Sequence, residues 1–269
     1  MSQPSVQLYS IREAIDADLP ASVARIAEIG LTQVEPYAFH VRAPELKRAL
    51  LANGLTAPSG HAAVIDAEQP ESIFDAAAER GMTTVIDPFI PTDRWQTADQ
   101  VAHLAERVNE LSERANSRGL EFGYHNHQWE FTTTIEGRTA FGLFVERLAP
   151  GVVLEVDTFW AQVGGADVPA LLRSLAPRVR AIHVKDGTIT ADIRDVLPSN
   201  ESALVVPEAL RAAFENQTPA GQGDIDVPAI LAAAPDALRV IEFDAYSGDV
   251  FAGIAASFAW LRRHDRAGA

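Results

Sequence analysis

The sequence TADQVAHLAERVNELSERANSRGLEFGYHNH, at 97–127, contains one complete helix-to-strand unit. Thr97, followed by Gln100 three residues later, is typical of a capping box and predicts that a helix begins here. Apolar residues then recur at three- and four-residue steps, as in a helix that packs one face on a sheet: Val101, Leu104, Ala105, Val108, Leu111 and Ala115. Gly119 is typical of a left-handed C-cap and comes directly before a β-rich run at 120–127. The stretch therefore predicts a helix that turns directly into a buried strand.

Similar units recur along the chain, in which short β-rich runs alternate with longer stretches of helical periodicity. The predicted strands lie at 6–11, 33–37, 56–61, 83–88, 120–127, 152–158, 179–184 and 238–243. Eight such units over about 250 residues are typical of an α/β fold, the parallel eight-stranded (β/α)8 TIM barrel, here a single domain over 1–269. A doubly wound open sheet is the alternative, but the link at 10–19 contains no glycine for a phosphate-binding turn.

The composition restricts both partners and chemistry. The chain of 269 residues has 22 Lys and Arg against 37 Asp and Glu, and its formal net charge of −15 repels nucleic acid and anionic membranes. Because cysteine is absent, disulfides, thiolate zinc sites and cysteine nucleophiles are excluded. The first ten residues do not resemble a signal peptide, and no apolar run is long enough to span a membrane. We therefore expect a cytoplasmic protein that binds a small molecule, and homo-oligomer formation stays open.

Polar side chains gather at the carboxyl ends of the predicted strands, where a TIM barrel carries its active site. They are Tyr9, Glu35, Tyr37, His61, Asp87, His125, His127, Asp157, His183, Lys185, Glu242 and Asp244. For any single one, a structural role such as capping the next helix is the simpler interpretation. Together they need compensation of charge, which a bound divalent cation supplies. Asp157, His183 and Glu242 follow successive strands and offer oxygen and nitrogen ligands suited to Mn²⁺, Mg²⁺, Co²⁺ or Zn²⁺.

Five short phrases resemble a known family. They are GYHNH at 123–127, EVDT at 155–158, HVKDG at 183–187, and GQGD at 221–224 with IEFD at 241–244. Together they resemble the xylose-isomerase-like TIM barrels, in particular the sugar phosphate isomerase/epimerase branch. The resemblance implies a divalent-metal-dependent isomerase or epimerase that acts on a sugar or keto-sugar through an enediolate.

The resemblance also implies metal ligands, which in that family follow strands five to eight. Asp157, His183 and Glu242 match the last three positions, whereas His125 stands where relatives carry a glutamate. Two alternatives stay open for the strand-five ligand. Either His125 binds the metal through its imidazole, or Glu130 folds back and supplies a carboxylate.

Four residues are the predicted catalytic groups: His127, Glu242, Glu130 and Lys185. His127 alternates with Asn126 and so shares a strand face with His125, where it could transfer a proton. Lys185 could hold a substrate oxygen or a developing oxyanion.

Three further residues are predicted to bind substrate. Glu35 and His61 match positions that line the substrate pocket in relatives, although a structural role is equally open for Glu35. Trp160 lies just beyond a strand end, where an aromatic face could stack on a sugar ring.

Other reactions remain open on the same barrel. In epimerases of this family two glutamates form the acid/base pair, so the histidine at 125 also fits a metal-dependent lyase or hydratase of a keto-sugar, keto-glycoside or inosose. An endonuclease of the same barrel type would need basic residues for phosphate, which the net charge of −15 disfavours. A non-catalytic sugar-binding barrel is the remaining alternative.

Overall fold

The structure is a computed structural model that describes residues 3–190, 196 and 215–265. Its strands are β1 (Ser5–Val6), β2 (Ser59–His61), β3 (Thr84–Asp87), β4 (Glu121–His125), β5 (Thr134–Ile135), β6 (Arg138–Thr139), β7 (Val153–Asp157), β8 (Val179–Val184), β9 (Asp186–Gly187), β10 (Gln217–Thr218) and β11 (Leu238–Ile241). Its α-helices are α1 (Arg12–Ile29), α2 (Ala43–Ala52), α3 (Pro70–Ala78), α4 (Ala98–Asn116), α5 (Trp129–Thr132), α6 (Ala140–Arg147), α7 (Thr158–Val163), α8 (Val168–Leu175), α9 (Val227–Ala233) and α10 (Val250–His264). Short 3₁₀ helices cover Leu8–Ile11, Thr92–Trp95 and Ala176–Arg178.

Seven strands form one parallel sheet, in the order β1-β11-β8-β7-β4-β3-β2. Parallel neighbours place all carboxyl ends on one side, so the residues that end each strand face the same opening. Two short antiparallel pairs, β5 with β6 and β9 with β10, lie outside this sheet. Within the described residues, no helix is long and apolar enough to cross a membrane.

The segment at 33–37 connects the two edges of the sheet without forming a regular strand. It makes isolated parallel bridges, Gln7 to Glu35, Gln33 to Thr56 and Tyr37 to His61. Pro36 has no N–H to donate, so a continuous ladder is interrupted there. The parallel α/β prediction is thus confirmed for seven of the eight predicted strands, and the remaining one, at 33–37, consists of single bridges.

The first predicted strand, at 6–11, is shorter than expected. Only Ser5–Val6 is a strand, and a 3₁₀ helix begins at Leu8. The side-chain oxygen of Gln7 accepts a hydrogen bond from the backbone N–H of Tyr9 at 3.0 Å, which caps the helix and ends the extended backbone. The β-rich pattern of residues 6–11 does not reveal this cap, because the cap depends on the side-chain conformation of Gln7.

Alternation along β4 separates the core from the site. Phe122 and Tyr124 point outward and are fully buried among aromatic side chains, with the Tyr124 ring 5.7 Å from that of Trp95. Gly123 and His125 lie on the opposite face. The predicted helix that precedes this strand is confirmed as α4, including its capping box and its buried apolar stripe.

We expect Gly123→Ala to destabilise the fold. A Cβ at this position would overlap the backbone carbonyl of Val153, its partner on β7, and neither strand backbone can move freely. Overpacking of this kind lowers the free energy of unfolding by about 1–3 kcal/mol, measurable by urea denaturation. Gly151→Ala is the matched control, because its Cβ would meet side chains only at ordinary contact distances of 3.4 and 3.8 Å. Equal unfolding midpoints for the two variants would contradict the close approach.

Candidate metal centre

Four side chains from four strand ends converge at the carboxyl side of the sheet. They are His125 at the end of β4, Asp157 at the end of β7, His183 within β8 and Glu242 directly after β11. One ligand atom from each lies within 4.8 Å of the others, and all four residues are buried. Nδ1 of His183 is 2.6 Å from Oε2 of Glu242, and Oδ2 of Asp157 is 3.8 Å from both His125 Nε2 and His183 Nδ1.

Local backbone structure fixes Asp157 in this cluster. Its Oδ1 accepts a hydrogen bond from the backbone N–H of Trp160 at 2.9 Å and so caps α7. The side chain of Asn126 exchanges two hydrogen bonds with the backbone of Asp157, which ties the ends of β4 and β7 together. Asp157 therefore combines the structural role of a helix cap with a second oxygen directed at the cluster.

The donor atoms of this cluster fit a divalent cation. Oδ2 of Asp157, Nδ1 of His183 and Oε2 of Glu242 are buried and have no hydrogen-bond partner among the described residues. Their close neighbours are charged groups in ion-pair contact, since His183 Nδ1 lies 2.6 Å from Glu242 Oε2 and both carboxylate oxygens lie 2.7 Å from Nζ of Lys185. The three atoms therefore converge on one place in the cluster. Carboxylate oxygens with imidazole nitrogens form a ligand set that Mn²⁺, Mg²⁺, Co²⁺ and Zn²⁺ all accept. These residues could hold a metal ion.

Lys185 adds a positive charge beside the cluster. Its Nζ lies 2.7 Å from Asp157 Oδ2, 2.7 Å from Glu242 Oε2 and 2.8 Å from Asp244 Oδ2. Only the contact with Asp244 also has hydrogen-bond geometry. Burial alone would lower the pKa of Lys185, but the three carboxylates outweigh it and raise the pKa well above its ordinary value.

A second layer of charged groups lies deeper in the sheet interior, below the cluster. Nε2 of His61 is 2.5 Å from Oε2 of Glu155 and 3.3 Å from Oε1 of Glu35, and the same Glu35 oxygen is 3.1 Å from Nε2 of His183. His61, His125, Glu155 and His183 form another group whose ligand atoms lie within 4.8 Å. The predicted substrate residues Glu35 and His61 are thus buried under the cluster and contact it through His183.

Protonation in these layers follows burial and charge. Burial would lower the pKa of His61, but Glu35 and Glu155 outweigh it and raise the pKa to about 10. Burial and the positive charge of His183 lower the pKa of His125 to about 3, so His125 is neutral, the form that binds metals. Burial would raise the pKa of Asp157, but Lys185 and the two imidazoles reduce it to about 2.

Glu155 was not predicted as a site residue. Its position two residues before Asp157 places both side chains on the same face of β7, and this period of two is the signal that could have identified it. In the sequence, β7 is a mostly apolar strand, and nothing in its pattern indicates which residues Glu155 would contact. Its contacts with His61 and His183 depend on strands that are distant in sequence.

Glu130 lies outside the cluster formed by the described residues. It is fully buried, and its carboxylate accepts hydrogen bonds from the Tyr124 hydroxyl at 2.5 Å and from the backbone N–H of His127 at 2.8 Å. Of the two alternatives for the strand-five ligand, the structure brings His125 to the other ligands.

The remaining predicted residues surround this centre. The His127 ring stacks on Trp129 with centroids 4.2 Å apart and lies 5.1 Å from the His125 ring. Trp160 is 2 % exposed, and its indole N–H donates to Asp244 at 3.1 Å. Its ring centroid is 5.8 Å from Nζ of Lys185, so Trp160 contacts the charged groups at the edge of the centre.

The family model of the xylose isomerase-like TIM barrel matches residues 23–264. The chain belongs to this family. The family resemblance carried by the five sequence phrases is therefore confirmed. Among curated proteins, no sequence matches this chain.

Several solved structures resemble the fold along almost the whole chain. A sugar phosphate isomerase/epimerase from Parabacteroides distasonis has a TM-score of 0.76 at 21% identity, covering 97% of this chain and 93% of that one. A probable 3-DHS dehydratase from Bacillus anthracis has a TM-score of 0.73 at 14% identity, covering 97% and 98%. A xylose isomerase-like TIM barrel protein from Mycobacterium smegmatis, in complex with magnesium, has a TM-score of 0.67 at 15% identity, covering 100% and 98%. At these identities the likeness concerns the fold.

We expect the stability of the metal-free protein to decrease as the pH rises from about 6.5 to about 10. The pKa of His61 is about 10 in the folded protein and about 6.5 in an unfolded chain, so its stabilising charge is complete below pH 6.5 and is lost as the pH approaches 10. Urea unfolding in EDTA at several pH values measures this slope. His61→Gln should make the slope shallower, whereas His103→Gln, an exposed histidine on α4, should leave it unchanged. Identical slopes in all three proteins would contradict the ion pairs assigned to His61.

Proposed function

We propose that the protein is a divalent-metal-dependent isomerase or epimerase that acts on a sugar or keto-sugar through an enediolate. The observation that carries this proposal is the convergence of buried ligand atoms from His125, Asp157, His183 and Glu242 within 4.8 Å of one another, next to the ammonium of Lys185. A divalent cation held by these residues and His125 would polarise a substrate carbonyl and so acidify the neighbouring carbon.

Glu242 and His127 are the two groups proposed to move the substrate proton. Nδ1 of His127 makes no hydrogen bond among the described residues. In Glu242, Oε2 contacts His183 and Lys185, so Oε1 is the oxygen that would remain for proton transfer when a cation holds Oε2. The two groups belong to different strand ends, β11 and β4, so they can approach a substrate from different sides. A histidine acts as a general base near neutral pH without the raised pKa that a carboxylate needs.

Glu130 supports His127 as a positioning residue. It accepts a hydrogen bond from the His127 backbone N–H, and its Oε1 lies 3.7 Å from Nδ1 of the same imidazole. The Trp129 ring stacks on the face of that imidazole. Together these contacts restrict the His127 ring to one orientation.

Lys185 completes the proposed catalytic set. Its ammonium can stabilise negative charge that develops on a substrate oxygen. Trp160 borders the same region, and because it is buried and donates its indole N–H to Asp244, it would support the edge of the sugar site rather than stack on the sugar. Glu35 and His61 support the ligands from below. The acidic, cysteine-free composition supports a small-molecule sugar partner in the cytoplasm rather than nucleic acid.

A metal-dependent lyase or hydratase of a keto-sugar, keto-glycoside or inosose is the second candidate. The observation in its favour is His125, since a histidine replaces one glutamate of the expected acid/base pair. Proton removal next to a carbonyl would be common to both reactions. In the lyase, His127 would then donate its proton to a departing hydroxyl group instead of returning it to carbon.

Solvent-exchange measurements test the proposal. Mn²⁺-loaded protein is incubated in D₂O with hexuloses, 3-keto-glycosides and inososes, and deuterium next to the carbonyl is followed by NMR. We expect exchange together with a new epimer or isomer. His127→Gln should reduce the exchange rate by about 10²–10⁴-fold and keep the Mn²⁺ stoichiometry, since His127 lies outside the ligand cluster.

His103→Gln serves as the control and should exchange at the wild-type rate. An unsaturated product that absorbs in the ultraviolet would contradict the isomerase proposal and favour the lyase. Binding of these sugars without any exchange or product would contradict both reactions and favour a sugar-binding barrel.

A further inference from the structure

Lys185 shares its contacts with the metal centre. The two oxygens that lie 2.7 Å from its Nζ, Asp157 Oδ2 and Glu242 Oε2, belong to residues of the four-membered ligand cluster. A divalent cation would bind the same oxygens at about 2.0–2.2 Å. An ammonium and a divalent cation repel each other at such short range, so both cannot hold these oxygens at full strength.

Asp244 offers the ammonium another partner. It lies two residues after Glu242, and its Oδ2 is 2.8 Å from Nζ of Lys185 in hydrogen-bond geometry. Within the described part of the chain, it belongs to neither group of candidate metal ligands.

The carboxylate of Asp244 is itself held in place. Its Oδ2 accepts hydrogen bonds from Nε2 of Gln217 at 2.7 Å and from Nε1 of Trp160 at 3.1 Å. Its backbone N–H donates to Oε1 of Gln217 at 2.8 Å. Asp244 is therefore a fixed negative charge at the outer side of Lys185.

We propose that Asp244 is a positioning residue that keeps the ammonium of Lys185 away from Asp157 and Glu242 when a divalent cation binds. Without the cation, Lys185 neutralises the two ligand carboxylates. With the cation, Lys185 is retained by Asp244 alone, at the edge of the centre where a substrate oxygen would arrive. This inference rests on the proposed metal centre and adds a residue that sets its affinity.

A double-mutant cycle separates this role from the effect of a nearby charge. Lys185→Met removes the competing ammonium, so Mn²⁺ should bind more tightly. Asp244→Asn leaves the ammonium with the ligand carboxylates as its only charged partners, so Mn²⁺ should bind about 10- to 100-fold more weakly, as for loss of an outer partner of a metal site. In the Lys185→Met background, Asp244→Asn should change the Mn²⁺ affinity much less, because no ammonium is left for Asp244 to hold.

Isothermal titration with Mn²⁺ alone measures the four dissociation constants. Asp236→Asn is the charge-matched control, because this exposed aspartate precedes the amino end of β11, opposite Asp244, and it should bind Mn²⁺ like the wild type. If Lys185→Met does not fold, Lys185→Gln replaces it in the cycle.

Three results would overturn the proposal. Asp244→Asn could weaken Mn²⁺ binding equally in both backgrounds, which would make Asp244 a ligand or a simple charge. Removal of Lys185 could weaken binding, or neither the wild type nor the variants could bind Mn²⁺. If the effects of Lys185→Met and Asp244→Asn on Mn²⁺ affinity are coupled but no sugar exchanges deuterium, the proposed reaction is refuted and this inference stands. If a sugar exchanges deuterium but the two effects are independent, only this inference is refuted.

Discussion

Compensation of buried charge is the constraint on which the rest of the site depends. Parallel strands place the carboxylates of Glu35, Glu155, Asp157, Glu242 and Asp244 within one small region of the described structure. Their described positive partners are two imidazoles with raised pKa values and one ammonium. Negative charge is therefore in excess, and buried carboxylates without a counter-charge are costly. A divalent cation bound at the strand ends would balance this excess, which connects the fold to the proposed chemistry.

Local signals allowed much of the fold to be predicted. The helix α4 depends on a capping box and an apolar stripe, both visible in sequence, and it begins and ends as expected. The strand predicted at 6–11 is longer than the observed one, because the side chain of Gln7 caps a 3₁₀ helix that begins at Leu8. The segment at 33–37 joins both sheet edges only through single bridges, since Pro36 interrupts the ladder. Boundaries that depend on one side-chain conformation were not visible in the sequence pattern.

The same distinction applies to the site. Strand-end position and the family resemblance predicted His125, Asp157, His183 and Glu242, and the structure brings these four together. The choice between His125 and Glu130 depended on a contact between Glu130 and the Tyr124 hydroxyl, which only the packed structure reveals. The contacts within the second layer and around Asp244 join residues from distant strands, and the sequence does not show which of these residues meet.

A crystal structure of the protein with Mn²⁺, with anomalous diffraction recorded at the manganese edge, tests the metal centre most directly. We expect one strong anomalous peak bonded to His125, Asp157, His183 and Glu242, with Glu130 still hydrogen-bonded to Tyr124. A peak bonded to Glu130 in place of His125 would contradict the assigned ligand set. Full manganese loading in solution with no peak at these residues would refute the centre itself.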